Sequence, residues 1–165
     1  MAESMRLTRR LSGKNVVRPL TSQDKQDFLT LSKSCYDEMD FDSMGYEYDK
    51  DHISNMYDMK LGRDMVIGYF DSGLKGIMVA SITDVTAFFK GKLIAQEIVW
   101  HAAPSLNAIA KIKIMKKLVV AALEILKERG VKSFYINTDA RYKTLNKMLI
   151  KLGFTPVSTA LYKGI

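Results

Sequence analysis

The stretch Leu93–Gly130, LIAQEIVWHAAPSLNAIAKIKIMKKLVVAALEILKERG, decides how the rest of the chain is read. Leu93–Trp100 is strand material, His101–Asn107 is a tight break, and a long helix runs from there to Arg129–Gly130. Apolar rows at Ile112, Met115, Val119, Ala122 and Leu126, and at Ile114, Leu118, Ala121 and Ile125, give that helix a wide apolar face. Such a face is expected of a helix packed on a sheet. A strand that runs into a helix N-terminus is a common place to hold phosphates, because unpaired backbone N–H groups and the helix dipole converge there. No glycine lies between Gly91 and Gly130, so the usual phosphate-cradling loop is missing; Lys111, Lys113, Lys116 and Lys117 stand near that point instead.

On the N-terminal side, Met65–Phe70, the turn Asp71-Ser72-Gly73 and Gly76–Ile82 read as a hairpin. Its second strand can continue to Phe89, with Lys90-Gly91-Lys92 turning it into the strand at Leu93. Asn15–Leu20 reads as a first strand, and Thr21-Ser22-Gln23-Asp24 has the form of a capping box. Phe28, Leu31 and Cys35 then set one inward face of a helix over 22–36. His52–Leu61 is a second short helix with Ile53, Met56 and Tyr57 inward. On the C-terminal side, Val131–Asn137 is a strand, and Asp139 a helix cap. Tyr142, Leu145, Leu149 and Leu152 predict a helix of roughly 13 residues, ended by Gly153. Phe154–Val157 and Ala160–Tyr162 read as closing strands.

With 165 residues and 47% hydrophobic content, the chain can bury one sizeable core, read as a single domain over 14–165 behind a basic arm, 1–13. That arm carries Arg6, Arg9 and Arg10. No apolar run approaches a membrane span, and the first residues lack the apolar core of a secretory signal. Cys35 is the only cysteine, so no intrachain disulfide can form, and a reducing, cytoplasmic compartment fits. The net charge of +7 and pI near 9.4 favour anionic partners. Against that background, Asp37–Asp51 is acidic. Its Asp40-x-Asp42-x-x-Gly45 resembles part of a calcium loop, but Met44 takes a ligand position and Asp51 stands where a bidentate Glu belongs; no metal site is read.

The element order β–α–α–β–β–β–α–β–α–β predicts an α/β (α+β) mixed sheet with helices on both faces. It resembles the GNAT superfamily of acyltransferases, on three segments. Val17–Asp24 looks like the family's first strand and helix start. Leu118–Val131 is similar to the second half of its cofactor-binding motif, and Asn146–Phe154 to its penultimate helix with a terminal Leu-Gly-Phe. The likeness covers nearly all of residues 15–162 and implies a twisted, mostly antiparallel sheet of six or seven strands.

The resemblance further implies acetyl-coenzyme A in a wedge between the fourth and fifth strands. Pantetheine would lie along Val99, Trp100 and His101, and pyrophosphate at the long helix's start. Two departures stand out. Counted back from Gly130, the family's glycine loop falls on Ala110–Met115; counted forward from Pro104 it falls on Asn107–Ile112, which keeps small residues at Ala108 and Ala110. The second count is sterically kinder. The tyrosine that often protonates the leaving thiolate is replaced by Leu149, leaving Tyr142 and Tyr162 as substitutes by type. For the base that an ammonium acceptor requires, Glu97 comes first and His101 second.

Three functions follow. The first is acetyl transfer from acetyl-coenzyme A to an amine, either a small molecule or a protein lysine, with the acidic stretch attracting a cationic acceptor. The second is a catalytically inactive GNAT-fold protein that is structural or associated with nucleic acid. For this the chain is loosely similar to short GNAT-like proteins of tailed phages, which implies virion partners and a place in the host cytoplasm or the virion. The third joins them: Lys111 and Lys113 replace the missing loop amides and hold coenzyme A phosphates by charge.

Overall fold

The computed structural model describes residues 15–39, 45–84, 92–138 and 142–157. The basic arm, Asp40–Met44, the continuation to Phe89, Asp139 and Ala160–Tyr162 therefore lie outside the described residues. Among the described residues five strands form one sheet in chain order: β1 (Val16–Pro19), β2 (Met65–Phe70), β3 (Leu74–Asp84), β4 (Leu93–Ala102) and β5 (Ser133–Tyr135). The first three pairings are antiparallel and β4–β5 is parallel, so the sheet is mixed and mostly antiparallel.

Among the described residues the sheet has five strands, not the expected six or seven. Phe154–Val157 forms no strand, for reasons visible in the chain. Phe154 N–H bonds back to Leu149 O (3.1 Å) and its ring meets Phe134 edge-on at 6.0 Å. Pro156 has no N–H to offer a ladder. β5 is also shorter than the expected 131–137. Val131 N–H is taken by Leu126 O (3.0 Å), and Asn137 N–H turns to the Glu97 side chain (3.3 Å).

Helices α1 (Lys25–Glu38) and α2 (Lys50–Lys60) cover one face of the sheet; α3 (Ala108–Glu128) and α4 (Lys143–Lys151) belong to the other. α1 follows a single 3-10 turn, Ser22–Asp24, at which Asp24 accepts from the Thr21 N–H (2.8 Å) and from both nitrogens of the Arg18 fork (2.7 and 2.8 Å). α2 starts two residues earlier than expected, because Asp49 caps it by accepting from His52 N–H (2.8 Å). The apolar rows read on α3 are its buried face: Ile114, Met115, Leu118, Val119, Ala122 and Leu126 all lie in the core. Its close seat on the sheet requires Gly76, where a Cβ would come 2.6 Å from Ile114.

Both long-range helices end in the same device. Gly130 and Gly153 adopt φ of 74° and 92°, and in each case the next residue's N–H bonds back across the last turn. This is the Schellman stop. In Leu152-Gly153-Phe154 it also drives Phe154 into the α3 side of the core.

Candidate active site

β4 carries the site. It pairs with β5 over only three positions, Ile94–Ser133, Ala95–Phe134 and Gln96–Tyr135. β4 runs on to Ala102, and among the described residues no strand pairs with that further edge. The two parallel strands thus part company after Gln96, and each leads into a helix, β4 into α3 and β5 into α4. In an open sheet of this kind, ligands bind beyond the carboxyl ends of such strands.

Which main-chain groups face the gap follows from the β3–β4 register. Ala103 N–H donates to Lys75 O (2.9 Å), in step with Ile77–His101 and Val79–Val99. Antiparallel strands alternate, so Val99 and His101 direct their backbone groups at β3, and Trp100 and Ala102 direct theirs at the open edge. Of the three residues expected along a pantetheine, Trp100 is the one whose amide is free to meet it.

A bulge decides where the side chains go. Ala80 pairs with Glu97 but Val79 pairs with Val99, which leaves Ile98 as an extra residue in β4. Ala95 and Glu97 pair with Ile82 and Ala80, in the layer of α3. After the bulge, Val99 and His101 pair with Val79 and Ile77, in the layer of α1. Glu97 and His101 therefore do not form a pair.

Glu97 is buried, and its carboxyl is pushed up to about 7 by desolvation, against the opposing hydrogen bond from Asn137 N–H. Its charge still reaches α1: the Cys35 thiol is raised to about 11 by burial, then by Glu38 and Glu97. His101 is also buried, and burial holds its pKa below the ordinary value, so it is neutral at neutral pH. Its Nε2 is 3.4 Å from Ser34 Oγ. Ser34 gives its only proton to Leu31 O (2.7 Å), so it can only accept from His101. That assigns the proton to Nε2 and the free lone pair to Nδ1.

The start of α3 is half capped. Asn107 Oδ1 accepts from Ala110 N–H (2.9 Å), and Asn107 O from Lys111 N–H (3.0 Å). The amides of Ala108 and Ile109 have no partner within the helix. Lys111 Nζ lies 2.7 Å from Glu38 Oε1, while Lys113 is exposed. Further along, a groove between α3 and α4 has an apolar floor of Ile112, Met148 and Leu152 and a rim of Lys116, Lys147 and Lys151. Tyr142, 52% exposed at the start of α4, makes no hydrogen bond to Glu97 or His101 among the described residues, and Tyr162 lies outside them. Leu149, at the position where the resemblance would place a tyrosine, is a core residue, 6% exposed.

Sequence reasoning missed Ser34, Asn137 and the specific place of Glu38. Nothing local marks Ser34 or Asn137. Glu38 was visible only as one member of an acidic run.

No protein-family model matches the chain, and no curated protein matches it. Solved structures do. A transcriptional regulator from Bacillus halodurans C-125 superposes with a TM-score of 0.69 at 18% identity, over 92% of this chain and 99% of that one. An aminoglycoside acetyltransferase from an uncultured soil metagenomic sample, in complex with sisomicin, gives 0.68 at 13% identity, over 90% and 93%. A Trypanosoma brucei acetyltransferase gives 0.66 at 15%, over 91% and 99%. The chain has the GNAT fold. At these identities the likeness is one of fold, and it carries no sign of a phage relative. Among the described residues no helix is long and apolar enough to cross a membrane.

The donors present are of the kind that acetyl-coenzyme A, the cofactor implied by the resemblance, would need. An open strand edge offers amides to an amide-bearing chain, and uncapped helix amides with nearby lysines offer donors to phosphates.

Proposed function

We propose that this protein is an acetyl-coenzyme A-dependent N-acyltransferase acting on a primary amine, either a small molecule or a protein lysine. The observation that carries the reading is the open edge of β4 beyond Gln96, with a buried carboxyl that titrates near neutrality beside it. Trp100 would present its amide to the pantetheine, with Val99 and His101 flanking it. Ala108 and Ile109 amides, with Ala110 keeping the approach clear, would meet the pyrophosphate. Lys113, and Lys116, Lys147 and Lys151 of the α3–α4 groove, would supply the charge that a glycine loop leaves to backbone.

Bound there, acetyl-coenzyme A supplies an acetyl thioester as the electrophile. Glu97 takes the proton from the incoming ammonium, because a carboxylate near pKa 7 is half ionised at neutral pH and basic enough to accept it. The edge amide of Ala102 would be placed to stabilise charge on the acetyl oxygen. His101, proton on Nε2, is the second base, acting through Nδ1 and water. Tyr142 is the residue by type for returning a proton to the thiolate, and its exposure lets solvent do the same.

Calorimetric titration with acetyl-coenzyme A, followed by turnover against a panel of amines, tests the reading. Binding and amine-dependent thiol release are expected. No binding at millimolar cofactor overturns it, and DNA binding that weakens steeply with salt would then favour the structural, nucleic-acid-associated role.

A further inference from the structure

Glu38, at the last position of α1, joins the two halves of the site. Its Oε1 holds the Lys111 ammonium at 2.7 Å, and its Oε2 lies 3.8 Å from His101 Nε2, at the end of the open strand. Both partners of the ion pair are reached by water, with side-chain exposures of 39% for Glu38 and 28% for Lys111. His101 is neutral, so the cation that Glu38 holds is Lys111.

We propose that Glu38 is the anchor for the ammonium of a cationic, polyamine-like acceptor, and that Lys111 fills this place in the free protein. The inference rests on the transferase reading above and names its acceptor class. The geometry states the chemistry directly: a primary ammonium on a flexible alkyl stem already sits on this carboxylate, next to the strand edge where acyl transfer would occur. An exposed pair of this sort is weak, so an external ammonium can compete for it.

The same arrangement couples the two substrates. Lys111 lies in the first turns of α3, next to the uncapped amides of Ala108 and Ile109. A pyrophosphate at that helix start carries more charge than one carboxylate and draws Lys111 toward itself. Glu38 is then left free, and the acceptor binds better. Positive coupling between the two ligands follows, and it must be reciprocal.

The test is calorimetric titration of the cofactor-free protein with spermidine at low salt. Lys111→Met should bind about threefold to fivefold more tightly than wild type, the range that releasing an exposed pair allows. Lys113→Met removes the same charge from an exposed neighbouring position and should gain less than about twofold through screened solvent. Glu38→Gln/Lys111→Met should lose the gain. Equal affinities for Lys111→Met and Lys113→Met, with thermal melts showing both folded, overturn the proposal. If spermidine follows the expected order but acetyl-coenzyme A does not bind, the Glu38 site stands and the transferase reading fails. If amines are acetylated but the Lys111→Met gain is absent, only the Glu38 assignment falls.

Discussion

Glu97 and His101 lie on the same strand, yet they enter opposite layers of the sheet because Ile98 is an extra residue between them. On a regular strand two residues four apart share a face. The bulge separates a buried acid beside α3 from a buried imidazole beside α1, and it does so where β4 and β5 part. In the proposed transferase Glu97 would then serve as base in the gap, while His101 belongs to the Glu38–Lys111 corner.

Glu97→Gln should lower amine acetylation by about 10²- to 10⁴-fold, the usual contribution of a positioned base. In the wild type, kcat/KM should rise with pH through about 7 as Glu97 ionises, and the variant should lose that inflection. Turnover measured from pH 5.5 to 9 checks both.

The same residue makes a stability prediction of opposite sign to most carboxylates. Its folded pKa is raised, to about 7, so the folded state holds a proton that the unfolded state has released. Stability from this group is full below the unfolded value near 4.5 and falls as pH rises toward 7. The loss is on the order of 3 kcal/mol. Glu97→Gln should therefore melt near wild type at pH 4.5 and above it at pH 8.

Asp64 shows the ordinary sign. Burial alone raises its carboxyl, but Lys60 at 2.8 Å, the Ile82 N–H at 3.0 Å and Ser81 outweigh that and hold it below the usual range. Its contribution is present above pH 3.8 and lost as pH falls through the lower folded value. Asp64→Asn strands the half-buried Lys60 and should cost about 3 kcal/mol at pH 7 in urea melts, with the difference shrinking in acid.

Gly76→Ala adds a Cβ 2.6 Å from Ile114 and 3.2 Å from Leu118. The α3 seat on the sheet should loosen at a cost of about 1–3 kcal/mol. A fall in the urea midpoint without a change in slope would show that the fold survives the strain.

Reversing charge at Lys111 and Lys113 together should abolish acetyl-coenzyme A binding while leaving the far-ultraviolet circular dichroism of α3 intact, since Lys113 is exposed and Lys111, though in line with Ile114 and Leu118, sits in the first turn against a solvent-reached Glu38. Unchanged affinity in the double variant would remove the lysines from the phosphate site.

Much of this was legible in the residues themselves. Apolar spacing from Ile112 to Leu126 marked the buried face of α3, and Gly130 and Gly153 marked helix ends, because periodicity and left-handed backbone are local properties. Thr21–Asp24 declared a helix start in the same way. The sheet's extent was less legible: Phe154 reads as strand by composition, but its N–H and ring are both claimed by the helix stop and Phe134.

The residues of the site were individually visible, but their relations were not. That Glu97 and His101 face apart depends on one unpaired residue, and a bulge leaves no reliable mark in composition. That Glu38 holds Lys111 requires α1 and α3 to meet across residues 38 and 111, and only packing brings them there. Chain-local chemistry determined which elements form and where they stop. Tertiary structure alone decided which carboxylate is dry, which amides are free, and which lysine already has a partner, because desolvation and pairing depend on neighbours distant in sequence.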